Sequence, residues 1–241
     1  MAVDQFPIAL VTGAGRGIGR ATAVALAGVG YRVALLSRTR RELEDTASLV
    51  VQAGSQALVL AADVSDENQV REAFSTLVRE WGDLSILVNN AGWARFHRIE
   101  DTPLCDWNAT IGVTLTGVFL CSREAIPSLV RSGGGIIVNI SSCSGIKGYL
   151  EQGAYVAAKH GVQGLSKVLA MELKQQGIRV HAICPGAVDT QMADEIHPSR
   201  DRSGWMTPTD VADVVRFLVT RPSHFTIDEI VMRRFLSDVM F

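Results

Sequence analysis

Tyr155-Val156-Ala157-Ala158-Lys159 sets a phenol and an ammonium four residues apart. On a helix, residues i and i+4 are neighbours on one face. An ammonium beside a phenol favours phenolate and lowers the tyrosine pKa from about 10 toward neutrality, which makes Tyr155 a candidate acid/base. A second chemistry lies near the start of the chain. Thr12-Gly13-Ala14-Gly15-Arg16-Gly17-Ile18-Gly19 follows a short apolar run and precedes a helix-compatible segment beginning around Ile18. Glycines there let the backbone turn sharply and approach a pyrophosphate, whose charge is stabilised at a helix N-terminus. A lone YxxxK is usually a surface helix face and a lone glycine cluster a flexible turn. Strand, glycines and helix in succession point to a dinucleotide site.

The elements that must position these groups follow a regular rhythm. Short β-branched runs bounded by Gly, Asn or Asp predict strands at Ile8 to Val11, Arg32 to Leu36, Ala57 to Ala61, Ile86 to Asn89, Ile136 to Ile140, Val180 to Cys184 and Ile227 to Met232. Helical patterns fill the gaps, from Ile18 to Val29, Arg40 to Ala53, Glu67 to Trp81, Pro103 to Arg131, Ala154 to Gln176 and Thr209 to Thr220. Strands alternating with helices predict an α/β fold, a doubly wound parallel sheet of about seven strands flanked by helices. No linker or repeat divides the chain, so one domain over residues 1–241 is expected. Gly133-Gly134-Gly135 reads as a turn before a strand, and Met192 to Met206 as the longest irregular stretch.

In such a sheet, ligands bind at the carboxyl ends of the strands. The second strand ends in Leu36-Ser37-Arg38, where a carboxylate would take the ribose 2′-hydroxyl of NAD. Ser37, Arg38 and Arg16 instead suit a 2′-phosphate, so NADP(H) is favoured. The bland alternative is that Arg38, Arg40 and Arg41 are a solvated helix start. Asp63-Val64 follows the third strand and Asn89-Asn90-Ala91-Gly92 the fourth. Asp63 could accept a bond from an adenine amine, or Asp63 or Ser65 could cap the next helix.

Composition excludes several classes. With 47% hydrophobic and 20% charged residues and a net charge of -2, the chain can bury a large core and offers no basic block for nucleic acid. No uninterrupted apolar run reaches a membrane span, and Met1 to Phe6 lacks a signal-peptide pattern, so no membrane partner and a cytoplasmic home are expected. Cys105, Cys121, Cys143 and Cys184 have no metal-ligand spacing and read as reduced thiols; no metal is expected. His97 and His160 read as solvent or packing residues, and Trp93, Phe96, Leu150 and Met192 as pocket or core apolar groups.

The sequence resembles the short-chain dehydrogenase/reductase family along essentially its whole length. The resemblance is carried in order by TGAGRGIG at Thr12 to Gly19, Asp63-Val64, NNAG at Asn89 to Gly92, Ser142, YxxxK at Tyr155 to Lys159, and Pro185-Gly186. It implies that Ser142 orients and polarises the substrate oxygen, with Ser141 the less favoured neighbour. It also implies that Tyr155 exchanges the proton, and that Lys159 lowers the tyrosine pKa and holds the nicotinamide ribose. Pro185, Gly186, Val188 and Thr190 resemble the segment that packs on the nicotinamide and binds its carboxamide. Where the family usually places a tetrad asparagine, which shapes a helix kink and helps hold a water near the lysine, this chain has Thr114. An altered proton relay with retained hydride transfer is expected. The ending Ile227-Asp228-Glu229-Ile230-Val231 replaces the frequent Asp-Gly-Gly.

The reading that follows is an NADP(H)-dependent oxidoreductase for a small-molecule carbonyl or alcohol. A 3-oxoacyl-[acyl-carrier-protein] reductase is the alternative, and a non-catalytic dinucleotide binder the third. The two long helices, Pro103 to Arg131 and Ala154 to Gln176, are apolar on more than one side. The resemblance implies that they pair across a homodimer or homotetramer.

Overall fold

The computed structural model describes residues 6–196, 199 and 201–237. Seven strands, β1 (Ile8–Thr12), β2 (Arg32–Ser37), β3 (Ala57–Ala61), β4 (Ile86–Asn89), β5 (Gly135–Ile140), β6 (Ile178–Pro185) and β7 (Glu229–Met232), form one sheet. All pairs are parallel, in the order β3-β2-β1-β4-β5-β6-β7. The winding reverses between β1 and β4, and the carboxyl ends of those two strands open the crevice where such folds bind ligands. Among the described residues, eight α-helices flank the sheet: α1 (Gly17–Ala27), α2 (Arg40–Gln52), α3 (Glu67–Trp81), α4 (Leu104–Ile111), α5 (Gly117–Arg131), α6 (Gly153–Leu173), α7 (Gln191–Ile196) and α8 (Pro208–Val219).

Alternation along the strands divides the core into two layers. Ala9, Val11, Val33, Leu35, Ile86 and Val88 face α1, α2 and α8, meeting Leu26, Leu43 and Val215. Leu10, Leu36, Leu87 and Ile137 face the other way, toward Phe74 and Leu77 of α3, Leu129 of α5 and Leu173 of α6. The edge strands β3 and β7 are the least buried, as expected where a neighbour covers one side only.

The segment expected as one helix from Pro103 to Arg131 is two. Pro103 caps the start, and a π turn at Gly112–Thr116 joins α4 to α5. The joined span Leu104–Arg131 is long and apolar enough to cross a membrane by composition, its most apolar 18-residue window having a mean hydropathy of 1.3. No run in the sequence alone suggested this. The span packs on the sheet as a core helix does, with Leu120, Cys121, Ala125 and Leu129 in the core layer shared with α3 and α6. The expected helix Ala154 to Gln176 begins one residue earlier and tightens to a 3₁₀ turn at Lys174–Gln176. Helix α3 is capped by Asp66, whose Oδ1 accepts from the amides of Asn68 at 2.9 Å and Gln69 at 3.1 Å. This corrects the expectation of Asp63 or Ser65: Asp63 instead accepts from the amide and hydroxyl of Ser65. Part of the stretch expected to be irregular, Met192 to Met206, is helical in α7, and His197, Pro198 and Arg200 lie outside the described residues.

The sheet is tied to α5 and α6 by a buried polar chain. Asn89 at the end of β4 donates to Asn139 of β5 at 2.9 Å and to Ser122 of α5 at 3.0 Å, and Asn139 donates to Ser166 of α6 at 2.8 Å. Removing one member strands buried donors and acceptors of the others. Asn139→Ala is expected to cost about 2 kcal/mol, lowering the thermal midpoint by about 4–8 °C at this chain length. Circular dichroism melting checks this, and an unchanged midpoint would remove the network from the forces joining sheet to helices.

Candidate active site

A cleft of about 660 Å³ runs along the carboxyl ends of the strands, from the glycine loop after β1 to Tyr155. At its outer end the loop is fixed by close backbone contact. Gly13 has φ 64°, and a Cβ on Gly19 would stand 2.2 Å from the Gly13 carbonyl oxygen, so neither position accepts a side chain. Thr12 Oγ1 accepts from the amides of Asn90 at 2.9 Å and Ala91 at 3.0 Å. Asn90 Nδ2 donates to the Thr12 carbonyl at 3.0 Å and the Gly13 carbonyl at 3.2 Å. The side chain of Asn90, expected at the cofactor, thus braces the loop that would hold it.

Helix α1 begins at Gly17 with Arg16 before it, has no side-chain cap and carries no acid in its first turn. Its first amides therefore face the cleft as a ready anion site. Where β2 ends, the Ser37 hydroxyl is enclosed and has no hydrogen-bond partner among the described residues. Arg38 stands beside it, 4.0 Å from Asp63 and largely exposed. Glu42 shares this corner: its Oε2 is 2.9 Å from where a Cβ on Gly15 would be. Arg16, expected beside a 2′-phosphate, pairs with Glu195 of α7 at 3.0 Å. That ion pair holds α7 across the cleft, while Thr190 caps α7 through the amide of Ala193 at 3.3 Å and sets its methyl 3.5 Å from the Cβ position of Gly17. Uncapped amides, a loop that excludes Cβ atoms and an orphaned hydroxyl beside an arginine all fit a phosphate-rich dinucleotide.

At the inner end, Ser142 follows β5 in an extended conformation and its Oγ accepts from the Ser144 amide at 3.0 Å. Ser141 turns the other way, buried and donating to the Lys159 carbonyl at 3.4 Å. Among the described residues, the Ser142 hydroxyl is the hydrogen-bonding neighbour of the Tyr155 phenol. Lys159 is buried and donates to the Ile140 carbonyl at 2.7 Å, with Nζ 5.6 Å from the Tyr155 ring centre. Burial pushes the Tyr155 phenol up to about 12 against the opposing pull of Ser142. Burial also brings the Lys159 ammonium down to about 8. The helical spacing of Tyr155 and Lys159 predicts a lowered tyrosine through the nearby charge, but desolvation dominates here and reverses the direction.

Phe96 and Met192 line the cleft, whereas Trp93 and Leu150 do not; Leu150 is 94% exposed. Thr114 is fully buried in the π turn, off the cleft wall. Its hydroxyl accepts from the Trp93 amide and donates to the Trp93 carbonyl, each at 3.1 Å. It anchors the loop after Gly92 rather than facing Lys159. His160 is exposed and bonded to its own helix, and His97 pairs with Asp106 at 3.0 Å. Sequence reasoning missed the Glu195 partner of Arg16 and the buried pair of Asn89 and Asn139. A polar residue inside the apolar run Ile136-Ile137-Val138-Asn139-Ile140 was the available signal for the latter.

The arrangement can bind a dinucleotide along the cleft and hold a polar oxygen between a serine hydroxyl and a protonated phenol. Comparison with known proteins gives the family. Residues 7–201 match the family model described as short chain dehydrogenase. The 3-oxoacyl-[acyl-carrier-protein] reductase of Synechocystis is 35% identical over 222 residues, 90% of each chain. A 3-ketoacyl-ACP reductase from Sinorhizobium meliloti is 40% identical with a TM-score of 0.85, covering 94% of this chain and 97% of that one. An alcohol dehydrogenase from Thermococcus sibiricus, solved with 5-hydroxy-NADP, is 30% identical with a TM-score of 0.90, covering 97% and 98%.

Gly19→Ala forces a methyl into the Gly13 carbonyl. It is expected to weaken dinucleotide binding at least about ten-fold, equivalent to 1.4 kcal/mol, as read by fluorescence titration. Unchanged affinity would mean that the loop does not form the phosphate cradle.

Proposed function

The chain belongs to the short-chain dehydrogenase family, and from that premise we propose that it is an NADP(H)-dependent oxidoreductase transferring hydride between the nicotinamide and a small to medium carbonyl or alcohol. One observation carries the reading. The Ser142 hydroxyl, the Tyr155 phenol and the buried Lys159 ammonium meet at one end of a cleft whose other end is an uncapped helix N-terminus.

The dinucleotide, when bound, supplies or accepts the hydride. The backbone of Gly13, Gly17, Ile18 and Gly19 would hold its pyrophosphate, Ser37 and Arg38 its ribose phosphate, and Asp63 and Val64 its adenine. Asn90, Ala91 and Gly92 would floor the ribose, and Pro185, Gly186, Val188 and Thr190 would flank the nicotinamide. Ser142 orients the substrate oxygen. A phenol kept protonated by burial is ready to give its proton from Oη to that oxygen as charge develops there. Lys159 is mostly charged at neutral pH and stabilises the phenolate left behind. Thr114 contributes through the Trp93 loop it ties down, and the proton relay runs without a side-chain amide at that position.

A second reading, a 3-oxoacyl-thioester reductase, is favoured by the names of the relatives in Synechocystis and Sinorhizobium. Both readings describe one dinucleotide-binding domain. Phe119 on α5 and Val168 and Met171 on α6 are exposed apolar groups, and an apolar surface of this kind supports pairing of those helices in a homodimer or homotetramer.

The decisive experiment follows NADPH oxidation against ketones, aldehydes, diketones and acetoacetyl thioesters. Tyr155→Phe is expected to lower turnover by about 10²–10⁴-fold while cofactor binding stays intact; retained turnover would sink the assigned proton donor. Binding of NADPH without oxidation of any panel member would point to a non-catalytic dinucleotide binder.

Cofactor preference is tested at Arg38, where Glu42 and Asp63 oppose a phosphate that Arg38 and Ser37 would attract. Arg38→Asp is expected to shift the NADPH/NADH affinity ratio roughly ten-fold toward NADH, measured by titration with both cofactors. A constant ratio would return Arg38 to the solvated surface.

A further inference from the structure

Charge is divided unevenly along the cleft. The acids that line it, Glu42 and Asp63, both stand at the glycine-loop end, beside Arg38. The inner end is lined by Lys147, Lys159, Arg233 and Arg234, with no carboxylate among the described lining residues. Two of these cations are already spent. Lys159 is bound to the Ile140 carbonyl. Arg233 Nη1 donates to the carbonyls of Arg234 at 3.2 Å, Phe235 at 2.9 Å and Ser237 at 2.7 Å, locking the turn that follows β7.

The other two are not. Arg234 is half-buried in the cleft wall, and its guanidinium has no hydrogen bond or ion pair with any described residue. Lys147 lies over the Tyr149 ring at 5.3 Å and likewise has no ion pair among the described residues. A partly desolvated guanidinium without a counter-charge is costly. A carboxylate or phosphate offsets that cost through paired, charge-assisted hydrogen bonds.

The position of these groups says which anion they can meet. The Met232 carbonyl, at the end of β7, accepts from the Gly186 amide at 2.8 Å and lies 3.5 Å from Cys143 Sγ, next in sequence to Ser142. The turn carrying Arg234 therefore leaves the sheet beside the reacting end of the cleft, away from the ribose corner at Ser37.

We propose that Arg234, with Lys147, receives an anion carried by the substrate itself, so that the reducible carbonyl belongs to an oxo acid whose second group is a carboxylate or a phosphate monoester. This rests on the reading of the cleft as a reductase site. Arg233 is the positioning residue that fixes the turn. Positive potential at this end also draws such substrates in while it disfavours cationic ones.

The test uses the full chain and separates the two readings. Hexanoate, hexyl phosphate and hexanamide are titrated calorimetrically into the protein, with and without NADP⁺. At least one of the two anions is expected to bind about ten-fold more tightly than the neutral amide, and the better of them identifies the anion class. Arg234→Gln is expected to remove most of that ratio and Arg234→Lys to keep part of it, with circular dichroism verifying that both variants fold. Equal affinity for amide and anions, no detectable anion binding, or a ratio unchanged in Arg234→Gln would overturn the proposal. NADPH oxidation is then followed with levulinate and its methyl ester, the acid expected to show the higher kcat/KM. No oxidation of either, with the binding ratio intact, would defeat the reductase reading and leave the anion site standing.

Discussion

The contact on which the rest of the site depends is the approach of the Gly13 carbonyl to Gly19, where no Cβ fits. It lets the chain leave β1 and enter α1 within a few residues, which turns the first amides of the helix toward the cleft. The same turn is clamped from β4, because Thr12 and Asn90 exchange hydrogen bonds with the loop and with each other's strand ends. The switch point of the sheet is thus held open by backbone geometry and by two polar side chains. Every functional group downstream is placed relative to that opening.

The inner end depends on burial. Lys159 is held under the end of β5 by the Ile140 carbonyl, and both it and Tyr155 are displaced by desolvation toward their uncharged forms. A protonated phenol beside a cation that is still mostly charged at neutral pH is the correct starting state for donating a proton. In the proposed reaction, a phenolate formed at Tyr155 would be stabilised by this neighbouring ammonium. Ser142 and Ser141 are neighbours with opposite fates because strand alternation turns one hydroxyl to the cleft and the other to the backbone of α6.

The sheet and most helices were legible because alternation at period two and at 3.6 survives in the sequence: Leu10 and Val11, or Leu35 and Leu36, point to opposite core layers and the chain says so. The glycine loop was legible for the same reason, a backbone demand written in residue type. The π turn at Gly112–Thr116 was hidden, since one extra residue in a helical turn leaves the apolar pattern nearly intact; the place of Thr114 came from a family resemblance and its bond to Trp93 from the fold alone. Arg16 and Glu195 lie 179 residues apart, and no local pattern announces such a pair. The helix cap was misplaced because Asp63, Ser65 and Asp66 are all capping residue types, and only the last stands directly before the helix with its carboxylate over the free amides.

Arg233 and Arg234 show how the ending of the chain can set selectivity without touching the chemistry. The sheet from β1 through β6 and helix α6 supply the cleft and the cluster of Ser142, Tyr155 and Lys159 at its inner end. The strand β7 adds little to the core, with all of its residues at least partly exposed. Its contribution is to carry a turn to the rim, where one arginine is consumed in holding the backbone and the next is left to face the cleft. A sequence change in that turn can alter which anions are admitted while leaving Ser142, Tyr155 and Lys159 in place, because the turn follows the Met232 carbonyl, which meets the Gly186 amide and Cys143 rather than those three side chains. Selectivity and reaction type are in this way assigned to separable parts of one sheet.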